Sequence, residues 1–246
     1  MAYNKTMAKK RLDVLMAERG LVNSRSQAES YIKLGKVKID GHIVKKPGQT
    51  VEPIAKIELL AEEQYVSRAA LKLASIAGHF KLDFKDSVVL DVGSSTGGFT
   101  DYSLQKGASY VIAVEAGKDQ LHHSLRQNPK IELHERTDIR DVSKLSRPAD
   151  IVLIDVSFIS LRSVLPHISG LVGKECQIVA MVKPQFEAAS DDIKHKGVIK
   201  NDKIRRQIFK EFEIWTKDYF IIKDKADSEV SGTKGNRERF YLLHKN

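Results

Sequence analysis

"SVVLDVGSSTGGFTD", residues 87–101, joins a short apolar run to a glycine-rich turn. An apolar run of this length is typical of a buried strand. In open α/β sheets, a glycine-rich turn directly behind such a strand is typical of a nucleotide-like ligand site. The stretch therefore predicts an α/β fold with a ligand at the carboxyl end of its first strand.

Six further β-rich runs follow at helix-length intervals. The first five of the seven runs are spaced as in a doubly wound parallel sheet, and the last two lie around the turn "VSGTKGN". A helix is predicted in "SRAALKLASIAGHF", ahead of the first strand. Together these patterns predict a Rossmann-like α/β domain with a seven-stranded, mostly parallel sheet. The six later runs are residues 110–115, 130–135, 150–155, 177–183, 219–225 and 239–244.

The first 60 residues have a different pattern and predict a small α+β domain. "KRLDVLMAERG" and "SRSQAESYIKLG" carry apolar residues at helical spacing, the second behind a capping Ser24. "KVKIDGHIVKK" alternates around Asp40-Gly41 and predicts a hairpin. The pattern weakens over residues 47–66, which we expect to be the connection. The predicted boundaries are 1–60 for the small domain, 61–66 for a linker and 67–246 for the α/β domain.

Charge is concentrated in this small domain. The chain has a formal net charge of +9, and residues 1–60 hold 12 Lys and Arg against 6 Asp and Glu. Such a block attracts polyanions, and its few aromatic residues favour shaped or double-stranded RNA over an unstructured strand. The side chains predicted to reach RNA phosphates are Arg11, Arg25, Lys33, Lys36, Lys45 and Lys46.

Several classes of protein are disfavoured by composition. No apolar stretch reaches the roughly 18 residues that a membrane-spanning helix needs, and the N-terminus is charged where a signal peptide is apolar. We expect a cytoplasmic protein without membrane association. Cys176 is the single cysteine and is expected in the core, and no Cys/His cluster suggests a metal site.

The glycine turn excludes two common ligands. A triphosphate loop needs a lysine after its last glycine, but Phe99 follows Gly98. A dinucleotide loop needs a glycine where Ser95 stands. S-adenosylmethionine, which has no phosphates, suits the turn, with Glu115 after the second strand accepting from the ribose and Asp138 from the adenine amine. The predicted cofactor site comprises Asp91, Gly93, Ser94, Gly97, Gly98, Phe99, Glu115, Asp138 and Asp155.

The methyl acceptor is less directly specified. Methylation of a pyrimidine carbon needs a cysteine nucleophile, which is missing near the fourth strand. Methylation of a base amine usually employs an acid, two prolines and an aromatic residue. "DVSF" (155–158) has the acid and Phe158 but no proline, so this chemistry stays the alternative. A ribose hydroxyl must lose its proton, for which Asp155 and Lys183 are placed at strand ends, with Lys72 and Glu238 as expected neighbours.

The ordered motifs carry a family resemblance. "RLDVLMAERG" to "KKPGQTV" resembles the RNA-binding module named after the fourth small-subunit ribosomal protein. "SRAALKL", "DVGSSTGGFTD", "DVSFISL", "VKPQFE" and "KGNRERF" resemble the TlyA family of rRNA 2′-O-methyltransferases, often called hemolysins, with an FtsJ-type domain. The resemblance implies a tetrad of Lys72, Asp155, Lys183 and Glu238, with Lys183 as base, and cytidine ribose in ribosomal RNA or ribosomal subunits as substrate.

Two other functions stay open on sequence grounds. One is an RNA-binding protein that keeps the cofactor fold without turnover, although all four tetrad positions are intact. The other is a membrane-lytic protein, as the hemolysin name suggests. The sequence does not indicate an oligomeric state.

Overall fold

The computed structural model describes residues 8–61, 65–188, 197–199, 201–230, 232 and 235–246. The chain divides into two compact units, Met1–Leu71 and Lys72–Asn246. The predicted domain boundaries at residues 60 and 67 stay a prediction. Parts of the predicted linker and of the turn "VSGTKGN" lie outside the described residues.

The first unit begins with two short helices, which confirms the helical spacing of the sequence. Helix α1 is Leu12–Glu18 and helix α2 is Arg25–Lys33. The Ser24 hydroxyl accepts a hydrogen bond from the backbone N–H of Gln27 at 3.2 Å, so the predicted cap is present. The apolar faces of both helices are buried, with Leu12, Leu15, Met16, Ala28 and Ile32 at 5% exposure or less.

The predicted hairpin is also confirmed. Strand β2 (Val37–Ile39) pairs antiparallel with β3 (His42–Ile43) across Asp40 and Gly41. Both turn residues have positive φ, +47° and +84°. A two-residue turn of this kind follows the right-handed twist of its strands.

The expectation that residues 47–66 only connect the domains was wrong. Within this range β4 (Thr50–Val51) pairs with β1 (Lys10–Arg11), and β5 (Ile57–Leu59) pairs with β2. Strands of two and three residues are too short to display a period of two. Pro47 and Pro53 interrupt the pattern further, since proline cannot donate to a ladder.

All seven strands predicted for the α/β domain are present in the second unit. They form one sheet in the order β11-β12-β10-β9-β6-β7-β8. The first five along the chain are parallel, while β12 runs antiparallel between β10 and β11. The strands are β6 (Val88–Val92), β7 (Tyr110–Glu115), β8 (Ile131–Glu135), β9 (Ile151–Ile154), β10 (Gln177–Val182), β11 (Phe220–Asp227) and β12 (Arg239–Lys245).

Helices follow the strands, as in other doubly wound sheets. The helix predicted ahead of the first strand is confirmed as α3, and 3-10 helices cover Ile139–Asp141 and Leu161–Ser163. None of the helices in the described ranges has both the length and the apolar character that a bilayer crossing requires. The helices are α3 (Arg68–Ala77), α4 (Gly98–Gln105), α5 (His123–Arg126), α6 (Leu165–Leu171), α7 (Pro184–Glu187) and α8 (Asp202–Thr216).

The middle of the sheet forms the core of the second unit. Every residue of β9 is buried, because a parallel sheet is covered on both faces. Cys176 is buried there too, as expected, and burial raises the pKa of its thiol to about 12. Arg239 at the start of β12 pairs with Val182 at the end of β10. The residues that follow β6, β7, β8, β9 and β10 therefore share one side of the sheet with the residue before β12, and we call this side the carboxyl edge.

Candidate active site

The glycine turn brings two strand ends together. Gly93 has a φ of +81°, and a Cβ on it would lie 2.7 Å from the carbonyl oxygen of Asp155. Only glycine allows both this conformation and this approach. The turn therefore fixes the end of β6 against the segment that follows β9.

A cavity of about 400 Å³ opens at the carboxyl edge beside this turn. Four of the residues predicted for the cofactor site line it, namely Gly93, Glu115, Asp138 and Asp155. Of the described residues, no Lys or Arg contributes to the lining, whereas three carboxylates do. The remaining predicted cofactor residues are buried and do not line the cavity: Asp91, Ser94, Gly97, Gly98 and Phe99.

Glu115 is oriented by backbone donors on both sides. Its Oε2 accepts from the N–H of Ser95 at 2.9 Å, and its Oε1 accepts from the N–H of Gly117 at 2.7 Å. The side-chain amide of Gln120 also lies 3.3 Å from Oε1. A carboxylate has about four acceptor positions, so Glu115 keeps capacity for further donors in the cavity.

Asp138 is already engaged with a neighbour on its own segment. Its oxygens accept from the backbone N–H and the guanidinium of Arg140 at 2.7–2.9 Å. The side-chain hydrogen bond from Arg140 lowers the pKa of Asp138 to about 2. Asp138 is therefore a fixed anion at the cavity wall.

Asp91 is fully buried beneath the turn. Its Oδ2 accepts from the Thr100 hydroxyl at 2.6 Å, which ties β6 to the first turn of α4, and its Oδ1 has no hydrogen-bond partner among the described residues. Burial raises the pKa of Asp91 to about 7, and the nearby charges of Asp155 and Glu115 add to the rise. Through Thr100, this carboxyl connects the strand before the glycine turn to the helix after it.

The first half of the predicted tetrad is a close pair at the carboxyl edge. Lys183 Nζ lies 2.5 Å from Asp155 Oδ1. This contact is an ion pair, because its angles are not those of a hydrogen bond. The hydrogen bond of the amine goes to the Ser157 hydroxyl, which accepts at 2.7 Å. Both charged side chains are largely buried, at 10% and 15% exposure.

The second half of the tetrad is another buried pair. Lys72 Nζ, from α3, donates to Glu238 Oε2 at 2.5 Å, and the two side chains are 8% and 3% exposed. Lys183 directly follows Val182 and Glu238 directly precedes Arg239, and these two neighbours are register partners. The structure thus places both ion pairs at the ends of the adjacent strands β9, β10 and β12.

Ser157 and Phe158 complete this part of the cavity wall. Sequence reasoning did not single out Ser157, although it stands two residues after Asp155 in the same motif. Phe158 has a φ of +66° and is 91% exposed, with its ring 5.2 Å from that of Phe186. A bulky residue rarely adopts positive φ, so the backbone is strained at this position.

The six residues predicted to contact RNA fall into two groups in the first unit. Arg11 and Arg25 both donate to the buried carboxylate of Asp13, at 2.8–3.0 Å. Burial acts to raise the pKa of Asp13, but the hydrogen bonds from the two arginines outweigh it and bring the pKa to about 2. The other four predicted RNA contacts are exposed and form no ion pair within the described residues: Lys33, Lys36, Lys45 and Lys46.

Comparison with known proteins shows the family of this chain. Residues 65–245 match the model of FtsJ-like methyltransferases, and residues 10–54 match the S4 domain. The chain is 38% identical to the 16S/23S rRNA (cytidine-2′-O)-methyltransferase TlyA of Mycobacterium tuberculosis, over 79% of this chain and 74% of that protein. The chain belongs to the TlyA family of FtsJ-like methyltransferases.

Other relatives agree with this family. The 23S rRNA (cytidine-2′-O)-methyltransferase TlyA of Campylobacter jejuni is 42% identical over 78% of this chain and 75% of that protein. A solved structure from Streptococcus thermophilus, described as a hemolysin, is 34% identical, with a TM-score of 0.71 over 98% of this chain and 90% of that one. The predicted family, α/β methyltransferase fold and S4 module are thus confirmed. In the described part of the chain, no group of three His, Cys, Asp or Glu side chains is arranged to hold a metal ion.

Proposed function

We propose that this protein transfers a methyl group from S-adenosylmethionine to the 2′-hydroxyl of a cytidine ribose in ribosomal RNA. The observation that carries the proposal is a pair of buried Lys–carboxylate contacts at the carboxyl edge: Lys183 with Asp155, which lines the cavity, and Lys72 with Glu238. A hydroxyl acceptor needs a group that takes its proton, and these two contacts supply amines and carboxylates for that task. The rRNA (cytidine-2′-O) names of the relatives from M. tuberculosis and C. jejuni support the acceptor.

The cavity suits S-adenosylmethionine by its charge and its size. About 400 Å³ is within the usual range of small-molecule sites. A lining with three carboxylates and, among the described residues, no Lys or Arg favours a cationic ligand and disfavours phosphates. When bound, the cofactor supplies a methyl group on a positively charged sulfur. Glu115 would hold the ribose hydroxyls of the cofactor and Asp138 its adenine amine, with Ile139 and Val164 offering apolar contact.

For the acceptor we assign Lys183 as the base. The amine takes the proton of the 2′-hydroxyl in its neutral form, while the Ser157 hydroxyl fixes the direction in which Nζ points. The ammonium that results lies 2.5 Å from Asp155 Oδ1, so a carboxylate is adjacent to the new positive charge. Lys72 pairs with Glu238 directly before β12, the strand next to the one that Lys183 follows.

The RNA partner is proposed to dock on the S4 module through its exposed lysines. Four exposed amines, without ion pairs among the described residues, provide a cationic surface for phosphates, whereas the guanidinium groups of Arg11 and Arg25 are already directed at Asp13. With ribosomal RNA or a ribosomal subunit as its partner, the protein would act in the cytoplasm.

The test is methyl transfer by the purified protein with the substitution Lys183→Ala. We expect the rate of labelled methyl incorporation into rRNA to fall by roughly 10² to 10⁴, as for loss of a general base, while cofactor affinity stays within about threefold. Lys174→Ala, at an exposed lysine away from the cavity, is the matched control and should retain full activity.

Analysis of the nucleosides separates the alternatives. A label on ribose supports the proposal, whereas a label on the base would favour the amine chemistry. Full turnover by the Lys183→Ala protein would overturn the base assignment.

A further inference from the structure

The segment between Asp155 and Ser160 carries much of the proposed acceptor site and is held at both ends. At its start the N–H of Asp155 donates to the carbonyl of Val92 at 3.0 Å, and Lys183 contacts both Asp155 and Ser157. In its middle Phe158 has a positive φ. A residue in this strained conformation has to be held by the surrounding structure, so the contacts at the far end of the loop matter as well.

The far end is fixed by Glu187, whose side chain is 1% exposed. Oε2 accepts from the Ser160 hydroxyl at 2.6 Å, and Oε1 accepts from the backbone N–H of Leu161 at 2.6 Å. Ser160 in turn caps the 3-10 helix Leu161–Ser163 by accepting from the N–H of Arg162 at 3.1 Å. One carboxylate therefore binds the free donors where the loop becomes helical.

Glu187 and Lys183 belong to one short segment. Lys183 precedes α7 and Glu187 is its last residue. The two side chains therefore contact the start and the end of the loop from the same short segment. Burial raises the pKa of Glu187, and the hydrogen bonds from Ser160 and Leu161 and the charge of Arg162 oppose the rise. A buried carboxyl is costly unless it is hydrogen-bonded, and an apolar residue would fill the space without that cost but would leave the Leu161 N–H without its acceptor. The contacts to the loop therefore explain the carboxylate better than packing does.

We propose that Glu187 is a positioning residue for methyl transfer: by anchoring Ser160 and Leu161 it holds Asp155 and Ser157 in register with Lys183. The inference rests on the proposed function, since it concerns the placement of the proposed base. Glu187 does not line the cavity and acts only through the loop. Its loss is thus expected to lower kcat and to leave the KM values for cofactor and RNA nearly unchanged.

Two variants test the anchor in the full-length protein. Glu187→Met keeps a side chain of similar length but removes both accepting oxygens, so the Ser160 hydroxyl and the Leu161 N–H lose their acceptor. Ser160→Ala removes the hydroxyl partner alone and is the milder change. We expect each to lower kcat by roughly tenfold or more, because small displacements of reacting groups are costly. The double variant should be no slower than the worse single variant, since both remove the same tie. Ser160→Thr, which keeps the hydroxyl, should recover most of the rate.

The matched control is a second Ser–Glu contact at the opposite side of the sheet. The Ser146 hydroxyl donates to Glu132 Oε2, and Glu132 lies near the start of β8. Glu132→Met and Ser146→Ala should leave kcat within about twofold, whatever they do to thermal stability. An equal loss of kcat in both pairs would show a general effect of destabilisation and would overturn the inference.

A second measurement does not depend on activity. Hydrogen exchange of a peptide that spans residues 155–163 should be faster in Glu187→Met than in the unmodified protein, because the Leu161 amide loses its acceptor. Unchanged exchange, or unchanged kcat in a folded variant, contradicts the positioning role. If the unmodified protein methylates no rRNA, the proposed function fails, and the exchange experiment still decides whether Glu187 anchors the loop.

Discussion

The pKa values of Asp138 and Asp91 are shifted in opposite directions by their immediate surroundings. Asp138 is held as an anion by Arg140, while Asp91, two residues before Gly93, is buried with one oxygen unpaired among the described residues. Burial raises the pKa of Asp91 to about 7, well above the value of about 4 in an unfolded chain. The folded protein therefore binds a proton between pH 4 and 7 that the unfolded chain has released. Over this interval Asp91 lowers the free energy of unfolding as the pH rises.

The substitution Asp91→Asn removes this titration. The free energy of unfolding of the variant, minus that of the unmodified protein, should increase as the pH rises from about 5 to 7, by up to about 1.4 kcal/mol per pH unit, and level off above pH 7. Denaturant unfolding at several pH values measures the difference, in which the other titrating groups cancel. Parallel stability curves for the two proteins would show that Asp91 titrates alike in the folded and unfolded states.

At the scale of elements, Asp13 of α1 accepts hydrogen bonds from Arg11 and from Arg25 of α2. Because these two guanidinium groups are engaged, we expect the exposed lysines to be the main contacts to RNA. The four exposed lysines surround the end of α2 and the β2–β3 hairpin. Replacing Lys33, Lys36, Lys45 and Lys46 by Gln should weaken RNA binding. The slope of log affinity against log salt should fall by about 0.7–0.9 for each phosphate that the variant no longer neutralises.

The control for this element is a set of four exposed lysines in the second unit. Lys85, Lys130, Lys144 and Lys174 carry the same total charge, and their replacement by Gln should change the salt slope much less. Equal slopes for the two quadruple variants would mean that net charge, and not the S4 surface, governs RNA binding.

At the scale of the whole molecule, the sequence predicts the sheet well because buried parallel strands are continuous apolar runs. It also predicts that Glu115, Asp155 and Lys183 lie at strand ends, where ligand-binding residues of such sheets are found, and the structure has them there. The tetrad, which adds Lys72 and Glu238 to Asp155 and Lys183, is implied by the family resemblance and stays a prediction. The two-residue strand β4 escapes prediction because it has no visible period. The pairing of Arg11 and Arg25 with Asp13 escapes it as well, because the partners are brought together by folding and not by spacing. Glu187 is missed for the same reason: its partners Ser160 and Leu161 lie 27 and 26 residues away along the chain.

The central claim is that this protein methylates a ribose in ribosomal RNA, and mass mapping of rRNA from cells with and without it tests that claim most directly. We predict at least one 2′-O-methylcytidine that is present with the unmodified protein, disappears when the protein is removed, and does not return when Lys183→Ala is supplied instead. Identical ribose methylation in all three samples would contradict the account.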